Sequence, residues 1–147
     1  MTSYGKYPDA FYRVSVKAVI RNNKGEILCV CESERDMWEL PGGGLDHGET
    51  VQQGLARELK EEIGYEGDFT FNPVDVSTLY TAENERCTMN IAFDVVLGSP
   101  KDIRKGDSVF DIAYKDPAQF ANVDYRGGQL IYKHAVDHSF PIKFDRR

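Results

Sequence analysis

Residues 11–20 alternate in character, with Val14, Val16, Ala18 and Ile20 apolar and Arg13, Ser15 and Lys17 polar between them. A period of two predicts a strand with one face more buried than the other. Asn22, Asn23, Lys24 and Gly25 form a turn, and residues 26–31 return as a second strand, so the pair is predicted as a hairpin. The charged stretch 32–36 is a loop. Residues 38–40 form a short strand, ended by Pro41 and a loop of three glycines that lets the backbone come close to a ligand. The period then becomes helical. Val51, Leu55, Leu59 and Ile63 recur every fourth residue and make a stripe roughly 120° wide. Thr50 with Gln53 has the spacing of a capping box, and Gly64 suits the left-handed position that ends a helix. Beyond it, 74–82 and 88–97 are predicted strands around a polar turn at 83–86, and 108–114 is another, after a loop at 98–106. Asp116 and Pro117 open a short turn ending at Phe120, and 125–138 is a second helix, weakened at its start by Gly127 and Gly128. Strands on both sides of a helix, with a second helix last, predict the α/β class with helices packed on a sheet.

The first helix carries more acid than folding asks for. On a helical wheel Glu58, Glu61 and Glu62 share one side, and Glu62 falls within the angular limits of the apolar stripe. Glu58 and Glu62 are a like-charge i,i+4 pair near the negative end of the helix dipole, and one partner, Arg57, cannot balance three acids. Local rules broken together are expected at functional sites, and a divalent cation supplies the missing compensation most simply.

The run 43–65 resembles the Nudix box, G-x5-E-x7-R-E-U-x-E-E-x-G-U with U a bulky aliphatic. Gly43, Glu49, Arg57, Glu58, Leu59, Glu61, Glu62 and Gly64 fill the pattern, Tyr65 replaces the last aliphatic, and Trp38, Glu39, Leu40, Pro41 and Gly42 resemble the usual lead-in. The resemblance implies a single domain over 1–147 with the Nudix α/β/α sandwich, a mixed sheet with flanking helices. It implies a hydrolase dependent on Mg²⁺, with Mn²⁺ able to substitute, that cleaves a pyrophosphate bond in a nucleoside diphosphate-linked compound or a nucleoside triphosphate. It also implies metal binding by Glu58, Glu61, Glu62 and the Gly42 carbonyl, with Glu58 or Glu62 as base. Arg57 is counted with the catalytic group, and with Glu49 it would orient loop and helix. Many members recruit a further acid from outside the box; Glu83, Glu85, Asp107 and Asp111 are candidates, the last preferred. Tyr80 stands about where members that cleave ADP-ribose often carry a proline, which disfavours that substrate. The alternatives are an inactive nucleotide-binding module, which would more often have lost a box acid, and an isopentenyl diphosphate isomerase-like enzyme, which would need a cysteine at the site.

Composition narrows the partners. At 147 residues the chain has room for one domain with a real core, and its net charge of −6 argues against stable, sequence-independent binding of nucleic acid. The expected partner is a small nucleotide or diphosphate, in a chain compatible with a homodimer. No apolar run is long enough to span a bilayer and the start lacks a signal-peptide core, so no membrane partner and a cytoplasmic location are expected. The three cysteines form no disulfide framework; Cys29 and Cys31 share a strand face and are read as small hydrophobes ahead of a zinc site with Cys87. His47 is read as a bystander, and His134 with His138 as a solvated or core-edge pair. Tyr80, Phe93, Phe110 and Tyr114 could stack a base, but aromatics in strands are more often core.

Overall fold

The computed structural model describes residues 11–81 and 85–143. The polar segment to about residue 8 and residues 83 and 84 of the 83–86 turn lie outside them. In chain order come β1 (Arg13–Val19), β2 (Ile27–Cys31), β3 (Trp38–Glu39), β4 (Gly42–Gly44), α1 (Val51–Ile63), β5 (Phe69–Thr81), β6 (Arg86–Leu97), β7 (Asp111–Lys115) and α2 (Arg126–Ala135). One sheet has the order β4-β1-β6-β5 and is mixed, because β1 and β6 run parallel; the other, β3-β2-β7, is antiparallel.

The predicted hairpin is corrected. Its turn forms: Asn22 Oδ1 accepts the Lys24 and Glu26 N–H groups and Gly25 sits at φ 76°. Past a single bridge between Arg21 and Ile27, however, β1 and β2 part into different sheets. The reason is burial on both faces. Val16 and Ala18 of β1, with Leu28 and Val30 of β2, join Leu55, Leu59 and Ile63 in one core under α1. Val19, Ile27, Cys29 and Cys31 join Trp38, Phe120 and Ile131 in a second core beside α2. A strand needed by two cores takes a central place in its own sheet, flanked on both sides.

Other boundaries move for local reasons. β5 begins at Phe69, ahead of the predicted 74, because Pro73 is accommodated at an irregularity between Pro73 and Asp75, on an edge strand where a missing N–H costs least. β7 begins at Asp111, after the predicted 108. Gly106 N–H donates to the Glu62 carbonyl and Ser108 Oγ to the Glu61 carbonyl, which ties this stretch to the end of α1. Helix α2 stops at Ala135, short of the predicted 138. His134 is more buried than predicted: its Nδ1 lies 2.8 Å from Asp75 Oδ2 and its Nε2 3.4 Å from Ser77 Oγ, which pins α2 to β5.

Cys29 and Cys31 are free, buried thiols, and burial pushes the Cys29 thiol up to about 12. Tyr65 is buried with its hydroxyl satisfied, donating to the Asp68 carbonyl and accepting from Ser99 N–H, so the departure from the box leaves no unpaired polar group. No helix of the described residues is long and apolar enough to cross a membrane.

Candidate active site

The acidic helix is held in place from its first turn. Thr50 and Gln53 form the capping box in both directions, and Gly64 ends the helix at φ 60°. Arg57 then clamps helix to loop. Its Nε and Nη2 donate to the two oxygens of Glu49 at 2.7 and 2.9 Å, Nη2 also reaches the Gly44 carbonyl at 3.0 Å, and Nη1 reaches Glu58 Oε1 at 2.8 Å. The Arg57 hydrogen bonds, helped by Asp46 N–H, hold the Glu49 carboxyl down at about 2.

The other side of the clamp is the strand of three glycines, where the sequence predicts a loop. β4 pairs antiparallel with β1, setting Lys17 opposite Gly42, Val16 opposite Gly43 and Ser15 opposite Gly44. Gly42 has φ 141°, and a Cβ there would overlap the Val16 carbonyl; a Cβ at Gly43 would overlap the Glu58 carboxylate. Gly43 thus lets the Glu58 carboxylate approach the backbone, and Gly42 lets β4 lie close against β1.

Of the three acids near the end of α1, Glu58 and Glu62 converge. Glu62 is 3% exposed; its Oε1 accepts Gly42 N–H at 2.7 Å and its Oε2 is buried with no hydrogen-bond partner. Burial, reinforced by the neighbouring Glu58 charge, pushes its carboxyl up to about 9, against the pull of Gly42 N–H and Lys17. Glu61 stands apart, half exposed, with Oε2 3.6 Å from Arg57. Among the described residues no three acid, His or Cys side chains are grouped closely enough to hold a metal ion. The chemistry of the pair nevertheless fits a hard divalent cation: two carboxylates repel each other, one oxygen has no donor, and Gly42 lies against them.

The acids outside the box separate. Asp107 lines a cavity of about 560 Å³ together with Arg57, Glu61 and Arg104. The preferred Asp111 begins β7, exposed, with its carboxylate accepting Ile112 N–H. Glu85 lies in the turn at φ 53°, and Glu83 is outside the described residues. His47 is exposed.

A second cavity, of about 410 Å³, had no counterpart in the sequence reading. Arg13, Ser15, Lys17, Arg86, Asn90 and Arg126 are among the residues lining it. The signal was present in β1, whose polar positions look like a solvated strand face but form the wall of this cavity. None of the four aromatic candidates lines it. Phe93 is in the core, Tyr114 packs against it, and Tyr80 and Phe110 are exposed.

Comparison with known proteins agrees with this architecture. The family model described as NUDIX domain matches residues 11–124. A crystal structure of a MutT protein from Methanosarcina mazei Go1 is 30% identical, with a TM-score of 0.56 over 77% of this chain and 83% of that one. A MutT NUDIX hydrolase from Burkholderia pseudomallei shares the fold at 19% identity, with a TM-score of 0.65 over 86% of this chain and all of that one (100%). An RNA pyrophosphohydrolase of Tolumonas auensis is 40% identical over 73 residues, which is 50% of this chain and 38% of that protein. Another, from Ruthia magnifica, is 47% identical over 53 residues, 36% of this chain and 30% of that protein. The chain spans less than half the length of these curated relatives.

Proposed function

The chain belongs to the Nudix family, and we propose that it is a Mg²⁺-dependent hydrolase that cleaves a pyrophosphate bond in a nucleoside diphosphate-linked compound or a nucleoside triphosphate. The observation that carries this reading is Glu62, a carboxyl with an unpartnered buried oxygen beside Glu58 and against the glycine strand. When bound, Mg²⁺ supplies charge neutralisation on the phosphates and lowers the cost of deprotonating water. Glu58, Glu61, Glu62 and the Gly42 carbonyl would hold it. Glu58 or Glu62 accepts the proton as water attacks one phosphorus in line, and the bond from that phosphorus to the bridging oxygen breaks. Arg57 and Glu49 keep helix and loop in register and do not take part in the proton transfer.

The similarity to proteins named RNA pyrophosphohydrolase widens the candidate substrates to RNA. A net charge of −6 weighs against a long RNA contact. The test is product analysis over nucleoside triphosphates, nucleoside diphosphate-linked compounds and triphosphorylated RNA, with Mg²⁺ and with chelator. Product only with the metal is expected, at millimolar Mg²⁺ or lower Mn²⁺. Full activity in chelator would contradict the mechanism, and no product from any substrate would favour a binding module.

Arg57→Ala is expected to lower kcat by a smaller factor than Glu58→Gln, since it acts by releasing Glu49 and Gly44 from the helix. Steady-state kinetics on the two variants checks this. An equal or larger loss for Arg57→Ala would place that side chain on the substrate itself.

A further inference from the structure

The second cavity is lined by four cations, Arg13, Lys17, Arg86 and Arg126, in a chain of net negative charge. At its rim Arg13 Nη1 donates to the Leu45 carbonyl at 2.6 Å and Arg126 Nη1 to Thr81 Oγ1 at 3.2 Å. The acid in the lining is Glu39, whose carboxyl burial holds above the usual range.

Two further groups look for an acceptor. Asn90 is 2% exposed, yet its Nδ2 has no hydrogen-bond partner, and the residue lines the cavity. A buried amide donor left unpaired is costly, and an acceptor entering the cavity would relieve that cost. The first turn of α2 also borders the cavity through Arg126 and Gly127. Its N-cap, Tyr125, makes no side-chain cap, lacking the short side-chain oxygen that caps need; its hydroxyl instead accepts the Trp38 N–H and donates to the Trp38 carbonyl. An uncapped helix N-terminus favours negative charge.

The cavity adjoins the acids. Gly44 lines it from β4, whose Gly42 holds Glu62, and Lys17 lines it while acting electrostatically on Glu62. We propose that this cavity binds a second phosphate of the substrate, distinct from the pyrophosphate attacked at Glu58 and Glu62, through the Asn90 amide, the start of α2 and the four surrounding cations. The substrate class narrows to compounds that carry such a group beyond the scissile link. It is either the next phosphate of a linear chain or a phosphomonoester on a sugar. As a statement about substrate this rests on the hydrolase reading; as a statement about anion binding it does not.

The test separates the two. Chelator-treated protein is titrated with inorganic tripolyphosphate in one arm and ribose 5-phosphate in the other, following the side-chain amide of Asn90 by ¹H–¹⁵N spectra. Saturable binding of either probe with a shift of that amide is expected, and the tighter probe identifies the source. Asn90→Asp and, at the exposed rim, Arg126→Gln should each weaken the tighter probe about tenfold or more. Asn90→Asp is read only with a melt that shows it folded, and Arg126→Gln stands alone if it is not. Binding of neither probe overturns the proposal, as does binding that a folded variant leaves within about twofold of wild type. Loss of hydrolysis across every substrate, with anion binding intact, overturns the hydrolase reading and leaves the cavity assignment standing.

Discussion

Glu62→Gln is expected to cut turnover several hundredfold or more, on the order of removing a main electrostatic group, while leaving the metal-free protein as stable as wild type or more so. The two effects point in opposite directions because Glu62 is badly placed for folding. It is 3% exposed, one oxygen lacks a donor, and Glu58 is beside it. Glutamine keeps an oxygen for Gly42 N–H and offers an amide donor to Glu58. Glutamine is neutral at every pH, so the variant folds without the proton uptake that wild type requires above the ordinary carboxyl range. The sign also appears in pH dependence. The folded carboxyl titrates near 9, well above its ordinary 4.5, so the folded state holds this proton more tightly than the unfolded chain. In chelator, this carboxyl's own contribution to stability is therefore fully present below the ordinary carboxyl range and is lost as pH rises toward about 9. The variant should lack that contribution to the slope. Melts of both proteins across this range check it, and a metal-free Glu62→Gln that melts well below wild type would make Glu62 a structural partner.

Gly42→Ala is expected to destabilise by about 3 kcal/mol, from the combined cost of a non-glycine residue in a sparsely populated backbone region and of overpacking. Its φ of 141° is one that side chains rarely adopt, and the new methyl would overlap the Val16 carbonyl across the β4–β1 pairing. Activity should fall as well, because the N–H that positions Glu62 belongs to this residue. Gly25→Ala is the control: φ is also positive, at 76°, but the space is open, and only about 1 kcal/mol is expected. Denaturant unfolding of the two variants checks this. Equal losses would mean that close approach at β4 does not set the strand.

The sequence made α1 legible in detail. Capping box, left-handed glycine, buried stripe and the anomalous Glu62 all follow from spacing, because a helix is specified by neighbours within one or two turns. What it left unread depends on distant partners. The division of β1 and β2 between two sheets is decided by which core each face meets, and an alternating pattern does not name that core. The three glycines look like a loop because their strand has no side chains to alternate. Asn90 reads as an ordinary strand residue. Only the convergence of β1, β6 and the start of α2 shows that its amide is buried without a partner. That Asp107 shares a cavity with Glu61 is unread for a similar reason: hydrogen bonds from Gly106 and Ser108 to the end of α1 tie this stretch there.

The central claim is that the Glu58–Glu62 pair is completed by a divalent cation. Titrating metal-stripped protein with Mn²⁺ and following free Mn²⁺ by paramagnetic resonance tests it without any substrate. Saturable binding to wild type is expected, weakened about tenfold or more in Glu62→Gln, as for loss of a group that holds the ion. Equal affinity in the two proteins, or no binding to wild type, would contradict it.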